Sequence, residues 1–353
     1  MFIYLLNLFV VVLLSFVLNF SQNKRVKIFF LLVVGTQLIL LSALRGIEVG
    51  SDTASYRSIY EYHLFYGDFF RNRLEFAHNL VMHVIDHFNG HYQWIFVVYA
   101  VLTISFMFKG IYNTSSNVYL SVFVYILSYF YYFSFSGIRQ WLAAAIIFYA
   151  YSHVINKNFI KFSLCVFLAS SFHAVSVVMI VVYLIYNTRL FTNKLSLAVL
   201  FFGGLVTFVF YEDLLNIALR ILPQYVHYLN TEFTDATGYV TQTIFYGSFV
   251  LFGILTMVLY NTNRRFKNEF VIMSVALLLT LLSHFRLGLL IRVANYFVIF
   301  GVLFLPTCLE HITDKRHKMV FGLFMLSVLI VHHTRWLVQE MWNIVPYSFF
   351  FND

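Results

Sequence analysis

Arg45, Glu48 and Asp52 stand close together in the stretch Leu44-Arg-Gly-Ile-Glu-Val-Gly-Ser-Asp-Thr-Ala-Ser-Tyr56, in a chain where charged residues make up only 11%. Gly46 and Gly50 allow close backbone approach and φ > 0, so the stretch is predicted as a tight, irregular loop. A guanidinium there can hold an anion, and Asp52 or Glu48 can take a proton. The same residues also fit a plainer role, with Asp52 capping a helix that starts near Thr53 and Arg45 paired with Glu48 or a lipid phosphate.

Three further places carry chemistry. Arg139 and Gln140 follow Phe135-Ser-Gly-Ile138 and precede Ala143, Ala144 and Ala145. A charge at bilayer depth costs about 2.5 to 3.5 kcal/mol, so Arg139 either snorkels or faces a cavity that the small residues allow. Arg292 has Asn295 and Tyr296 at i+3 and i+4 on one helical face, with Arg286 at the helix mouth. His173 can act as a general base or donate to a sugar or phosphate, or it can be a structural histidine. His83, His87 and His91 recur at i, i+4 and i+8, but a third ligand is missing, so no metal is expected.

The elements that must position these groups are membrane helices. The chain has 353 residues, 61% of them hydrophobic and 20% aromatic, more apolar surface than a soluble core buries. The net charge of +8 follows from topology rather than from nucleic acid. Phe2 to Phe20 reads as a retained signal anchor with its N-terminus outside, because Lys24, Arg25 and Lys27 follow it and no basic residue precedes it. Cys165 and Cys308 read as buried thiols.

Spans of about 20 residues are predicted near Phe2 to Phe20, Ile28 to Leu44, Gln93 to Tyr112, Val118 to Phe135 and Ile138 to Val154. Others follow near Leu195 to Tyr211, Thr243 to Tyr260, Phe270 to His284, Leu287 to Leu305 and Met319 to His332. Phe162 to Tyr186 is too short for two full crossings yet has basic residues at both ends. It is predicted as two short helices or a re-entrant hairpin turning near Ser170 to His173. The result is an all-α, polytopic integral membrane protein of about twelve segments in one membrane domain, residues 1–353. Two extracytoplasmic loops are expected, 45–92 and 212–242. The first should carry an amphipathic helix from Glu75 to Phe88 lying on the membrane surface.

In this topology Lys24, Lys27, Lys109, Lys157, Lys161, Lys194, Lys267, Lys315 and Lys318 all fall on the cytoplasmic side. The basic residues outside are all arginine: Arg45, Arg57, Arg71, Arg73, Arg139, Arg220, Arg286, Arg292 and Arg335. Guanidinium grips phosphate or carboxylate through two parallel hydrogen bonds, so the outer face is suited to anions. No P-loop, dinucleotide fingerprint or zincin motif occurs, and no cofactor is expected.

Several of these segments together resemble the EpsG-like, Wzy-type family of bacterial polysaccharide polymerases. They are Arg45-Gly-Ile-Glu-Val-Gly-Ser-Asp52-Thr53 with Tyr56, Ile138-Arg-Gln-Trp-Leu-Ala143, Ser170-Ser-Phe-His173, Arg292-Val-Ala-Asn-Tyr-Phe297 and Trp342-Asn-Ile-Val-Pro-Tyr347. Ser51 stands where the family often has threonine. The resemblance implies a GT-C-like membrane glycosyltransferase of the bacterial inner membrane, active at the extracytoplasmic face on undecaprenyl-pyrophosphate-linked repeat units of O-antigen, capsule or exopolysaccharide. The implied partners are that lipid-linked oligosaccharide, membrane lipids, and flippase and chain-length regulator proteins, with no nucleic acid. Asp52 and His173 become the base candidates, with Arg45, Arg139, Gln140, Arg286 and Arg292 the candidates for pyrophosphate. A flippase or other transporter, or a ligase moving finished glycan, would use the same arginines.

Overall fold

The computed structural model describes residues 1–18, 23–66, 74–187, 202–204, 206, 207, 209–221, 240–285 and 288–352. These residues are almost entirely helical, and no strand occurs among them. Five helices are long and apolar enough to cross a membrane: Lys24–Ala43, Gln93–Thr114, Val240–Leu259, Arg264–Phe285 and Lys315–Val338. Leu290–Val298 and Gly301–His311, bent by 41° at their junction, make a sixth if counted as one broken span. Four further apolar helices are shorter: Phe2–Leu18, Val118–Leu127, Phe159–Phe172 and Ala174–Asn187.

The chain forms two compact units. The first comprises Met1–Val177 and Leu326–Asp353, the second Val178–Met325. The first contains α1 (Phe2–Leu18), α2 (Lys24–Ala43), α3 (Thr53–Tyr66), α4 (Phe76–His87), α5 (Gln93–Thr114), α6 (Val118–Leu127), α7 (Phe130–Phe133), α8 (Ile138–Ile155) and α9 (Phe159–Phe172). Its backbone is a row of neighbours, α2 on α5, α5 on α8 and α8 on α9, with α4 laid against α5 and α9. Small residues set this spacing. Ala143, Ala144 and Ala145 of α8 are fully buried, and a Cβ on Gly110 of α5 would come within 2.6 Å of the Phe148 ring of α8. Close helix approach of this kind is what packs helices in lipid, where hydrophobicity gives no preference between neighbours.

The expected single span from Val118 to Phe135 is broken. α6 ends at Leu127, Tyr129 takes a left-handed φ of 69°, and α7 occupies one short turn. Tyr129, Phe130, Tyr131, Tyr132, Phe133 and Phe135 are all buried there as a knot of rings, with Phe133 stacked on Trp141 at 5.5 Å. Packing of this many rings overrides the run's helical continuity.

The second unit contains α10 (Ile180–Asn187), α11 (Tyr211–Ile221), α12 (Val240–Leu259), α13 (Arg264–Phe285), α14 (Leu290–Val298), α15 (Gly301–His311) and the first part of α16 (Lys315–Val338), whose last residues belong to the first unit. Gly253 of α12 lets the rings of Phe304 and Phe270 close in, since a Cβ there would meet them at 2.6 and 2.7 Å. In α13, Arg265 pairs at 2.8 Å with the fully buried Glu269 one turn on. The predicted span Leu195 to Tyr211 and the second outer loop lie largely outside the described residues. Of that loop, Tyr211–Ile221 is helical.

Candidate functional site

The loop after α2 is built around Arg45, which is 1% exposed. Its Nη1 donates to the Ser42 carbonyl, its Nη2 to the Phe135 carbonyl at 3.0 Å, and its Nε to the Thr53 hydroxyl at 3.4 Å. The guanidinium lies 4.3 Å from the Phe96 ring centroid and 5.2 Å from that of Phe135. Burial draws its pKa down to about 10, so it stays charged at neutral pH. Expected as an anion clamp, Arg45 is instead turned to the protein's own carbonyls and rings, with no face open to a ligand. A buried cation is tolerable only when it is hydrogen-bonded, and each of its three nitrogens has an acceptor here.

The C-terminal tail completes this loop. Gly46 N–H donates to the Ser348 carbonyl at 2.9 Å and Phe350 N–H to the Leu44 carbonyl at 3.0 Å. Gly50 N–H donates to the Asn343 carbonyl at 2.8 Å, and Ser51 N–H to Trp342 at 2.9 Å and to the Ser136 hydroxyl at 3.0 Å. Gly50 has φ +95°, and a Cβ on it would sit 2.7 Å from the Phe135 carbonyl oxygen. Only glycine fits that position without strain. The Trp342 to Phe350 segment therefore holds the Leu44 to Ser51 loop in shape. Asp52 is partly exposed at the head of α3, and its Oδ1 accepts from the Ser51 hydroxyl at 3.1 Å.

Arg139 is different. It stands at the start of α8 with its side chain 24% exposed and forms an ion pair with Glu75, itself 21% exposed. Its Nε donates to the Tyr56 hydroxyl at 3.4 Å. The second Glu75 oxygen accepts from the Ala174 N–H at 3.2 Å, so one carboxylate joins Arg139 to the residue directly after His173. His173 itself ends α9 in extended geometry and is partly exposed. The run from Phe162 to Tyr186, expected as two short helices or a re-entrant hairpin, breaks here, α9 ending at Phe172 and a 3-10 turn beginning at Ala174.

Beneath this pair lies a buried polar layer. His78 of α4, fully buried, contacts the Tyr99 hydroxyl through Nδ1 at 2.7 Å, and its ring lies 5.5 Å from that of Tyr56. Burial lowers the His78 imidazole to about 3, with the nearby Arg139 charge acting in the same direction, and burial raises the Tyr56 phenol. Both groups are therefore neutral at neutral pH. Phe172 closes the layer, edge-on to Tyr99 at 6.0 Å.

The structure thus brings together Arg139, Tyr56, Glu75 and the His173 segment, all in the first unit, while the contact recorded for the Asp52 carboxylate is the Ser51 hydroxyl. Gln140 follows Arg139 in α8 and is partly exposed. Arg292 is partly exposed in α14 of the second unit, and Arg286 lies outside the described residues. Among the described residues no three His, Cys, Asp or Glu side chains form a metal-binding group, and His83, His87 and His91 are exposed along one stretch. Glu75, His78 and Tyr99 escaped the sequence reading. The available signal was Glu75 itself, an acid just ahead of an amphipathic helix in a chain poor in charge.

Five or six helices long and apolar enough to cross a membrane, among the described residues, mark a multi-pass membrane protein. More narrowly, the chain belongs to the EpsG family, whose model matches residues 27–349, nearly its whole length. That family is a Wzy-like polymerase family, which makes this a membrane protein of polysaccharide biosynthesis. No curated protein and no solved structure matches the chain.

Proposed function

We propose that the protein polymerises undecaprenyl-pyrophosphate-linked oligosaccharide repeat units at the extracytoplasmic face of the bacterial inner membrane, in a GT-C-like arrangement of about twelve apolar segments. The observation that supports this most is Arg139, a partly exposed guanidinium whose Glu75 counter-ion also holds the segment carrying His173. A hydroxyl of the incoming lipid-linked unit attacks the anomeric carbon of the growing chain. The new glycosidic bond forms as the bond from that carbon to the pyrophosphate oxygen breaks. Undecaprenyl pyrophosphate leaves with the bonding electrons.

Charge grows on the leaving pyrophosphate, and a fixed guanidinium stabilises it in the transition state. Arg139, with Gln140 beside it, takes that role. The acceptor's proton goes to His173, the base candidate whose backbone is tied through Glu75 to Arg139. Asp52 keeps the Ser51 hydroxyl and shapes the rim, and Arg45 serves as an internal strut. The assignment of Arg292 and Arg286 to a lipid pyrophosphate rests on the family resemblance. An activated donor of this kind removes the need for a nucleotide or a cofactor.

The test is to incubate purified protein with a synthetic lipid-pyrophosphate oligosaccharide and separate the products by length. A ladder of repeat units is expected. Translocation of the lipid with no new glycosidic bond would instead make the protein a flippase.

A further inference from the structure

Glu75 occupies the N-cap position of α4 in the extended geometry of a cap, φ −67° and ψ 148°, yet its side chain caps nothing. Ser, Thr, Asp or Asn at that position turns a side-chain oxygen onto the N–H of the second or third helical residue; here the His78 N–H already donates to the Glu75 backbone carbonyl at 3.1 Å, which leaves Ala77 N–H for a carboxylate turned back onto the helix. The Glu75 carboxylate is drawn away from the helix end instead. One oxygen pairs with Arg139 and the other accepts from Ala174 N–H. The carboxylate thus sits beside the N-terminus of α4 without bonding to it, held by its ion pair and by Ala174.

We propose that Glu75 is a built-in stand-in for the anionic substrate, which a pyrophosphate displaces from Arg139, the released carboxylate then swinging back to cap α4. This rests on the assignment of Arg139 to pyrophosphate and adds the regulation of that site. A partly buried guanidinium needs a counter-charge when no substrate is bound, and Glu75 supplies a single one. A pyrophosphate brings more than one negative charge and can engage the planar guanidinium with two oxygens, so it outcompetes a lone carboxylate. The carboxylate's alternative seat lies at the positive end of α4, which favours a negative charge. Because Glu75 also holds Ala174, its departure frees the segment behind His173 when the donor arrives. An empty site keeps both groups locked, and a filled one releases the base candidate to adjust to the acceptor.

Inorganic pyrophosphate is the probe, titrated into the full-length protein in nanodiscs and read by calorimetry. Glu75→Gln keeps the length of the side chain and removes its charge. Glu75→Ser keeps a capping oxygen and cannot reach Arg139. Both are expected to bind pyrophosphate about 10-fold more tightly than the unaltered protein, because the internal competitor is gone. Arg139→Gln should weaken binding at least 10-fold, and adding Glu75→Gln to it should restore nothing. If either Glu75 variant binds no more tightly while Arg139→Gln still weakens binding, the stand-in role is wrong and the Arg139 assignment survives. If the gain persists in the Arg139→Gln background, it comes from general charge and the stand-in role is wrong as well. Wild-type affinity in Arg139→Gln would overturn both.

Discussion

Arg45 donates to the carbonyl of Phe135 at 3.0 Å while its guanidinium lies 5.2 Å from the centroid of the same residue's ring, so a single residue, ninety positions away, meets it both as acceptor and as aromatic face. The contact pins the loop after α2 to the aromatic knot that precedes α8. Replacing Arg45 by Leu leaves the Ser42 and Phe135 carbonyls and the Thr53 hydroxyl without their donor. Unsatisfied buried polar groups of this kind cost on the order of 3 kcal/mol together. A marked fall in melting temperature in detergent and a lower yield of folded protein are expected. A variant as stable as the parent would show that the strut is dispensable.

Gly50 makes the same joint possible from the other side. At φ +95°, with the Phe135 carbonyl 2.7 Å from where a Cβ would stand, Gly50→Ala has to distort the loop. The expected loss is about 1 to 3 kcal/mol, visible as a lower melting temperature, whereas Gly203→Ala, which meets nothing within 4 Å, should change little.

Acid sensitivity follows from His78. Its imidazole titrates near 3 in the folded protein because it is buried, against an ordinary value of about 6.5 in an unfolded chain. Between those values the unfolded state binds the extra proton, so stability is lost as pH falls from about 6.5 towards 3. His78→Asn cannot take up that proton. Melting temperature plotted against pH should slope less steeply for the variant across this window. Parallel curves would mean that His78 is not the group responsible.

The choice between the two base candidates is also measurable. His173→Gln should lower the turnover number about 100-fold or more, within the usual range for a general base. Asp52→Asn should cost less than about 10-fold. The reverse order would move the base role to Asp52.

How much of this was legible in the sequence differs from residue to residue. Arg139 and His173 stood out because charge and imidazole are rare beside apolar runs, and the amphipathic spacing of Phe76, Leu80, Val84 and Phe88 marked α4 to within a residue at each end. Arg45 was equally visible as a residue, but its burial was not. That depends on Phe96, Phe135 and Thr53 converging from three separate segments, which no local pattern reports. The break at Tyr129 was hidden for a similar reason, since Val118 to Phe135 carries no charge, proline or glycine and ring packing decides where it turns. Glu75 was legible as a helix boundary and not as a counter-ion, because the partner that redirects its carboxylate lies at the head of α8.

The central claim is that the Arg139 guanidinium, and not merely a positive charge, holds the pyrophosphate as it leaves. The direct measurement is the rate of ladder formation by Arg139→Lys at equal levels of folded protein. A lysine keeps the charge and loses the planar, two-point grip, so the rate should fall about 100-fold or more, the scale seen when one transition-state donor is removed. A ladder formed at the parent's rate would contradict the account.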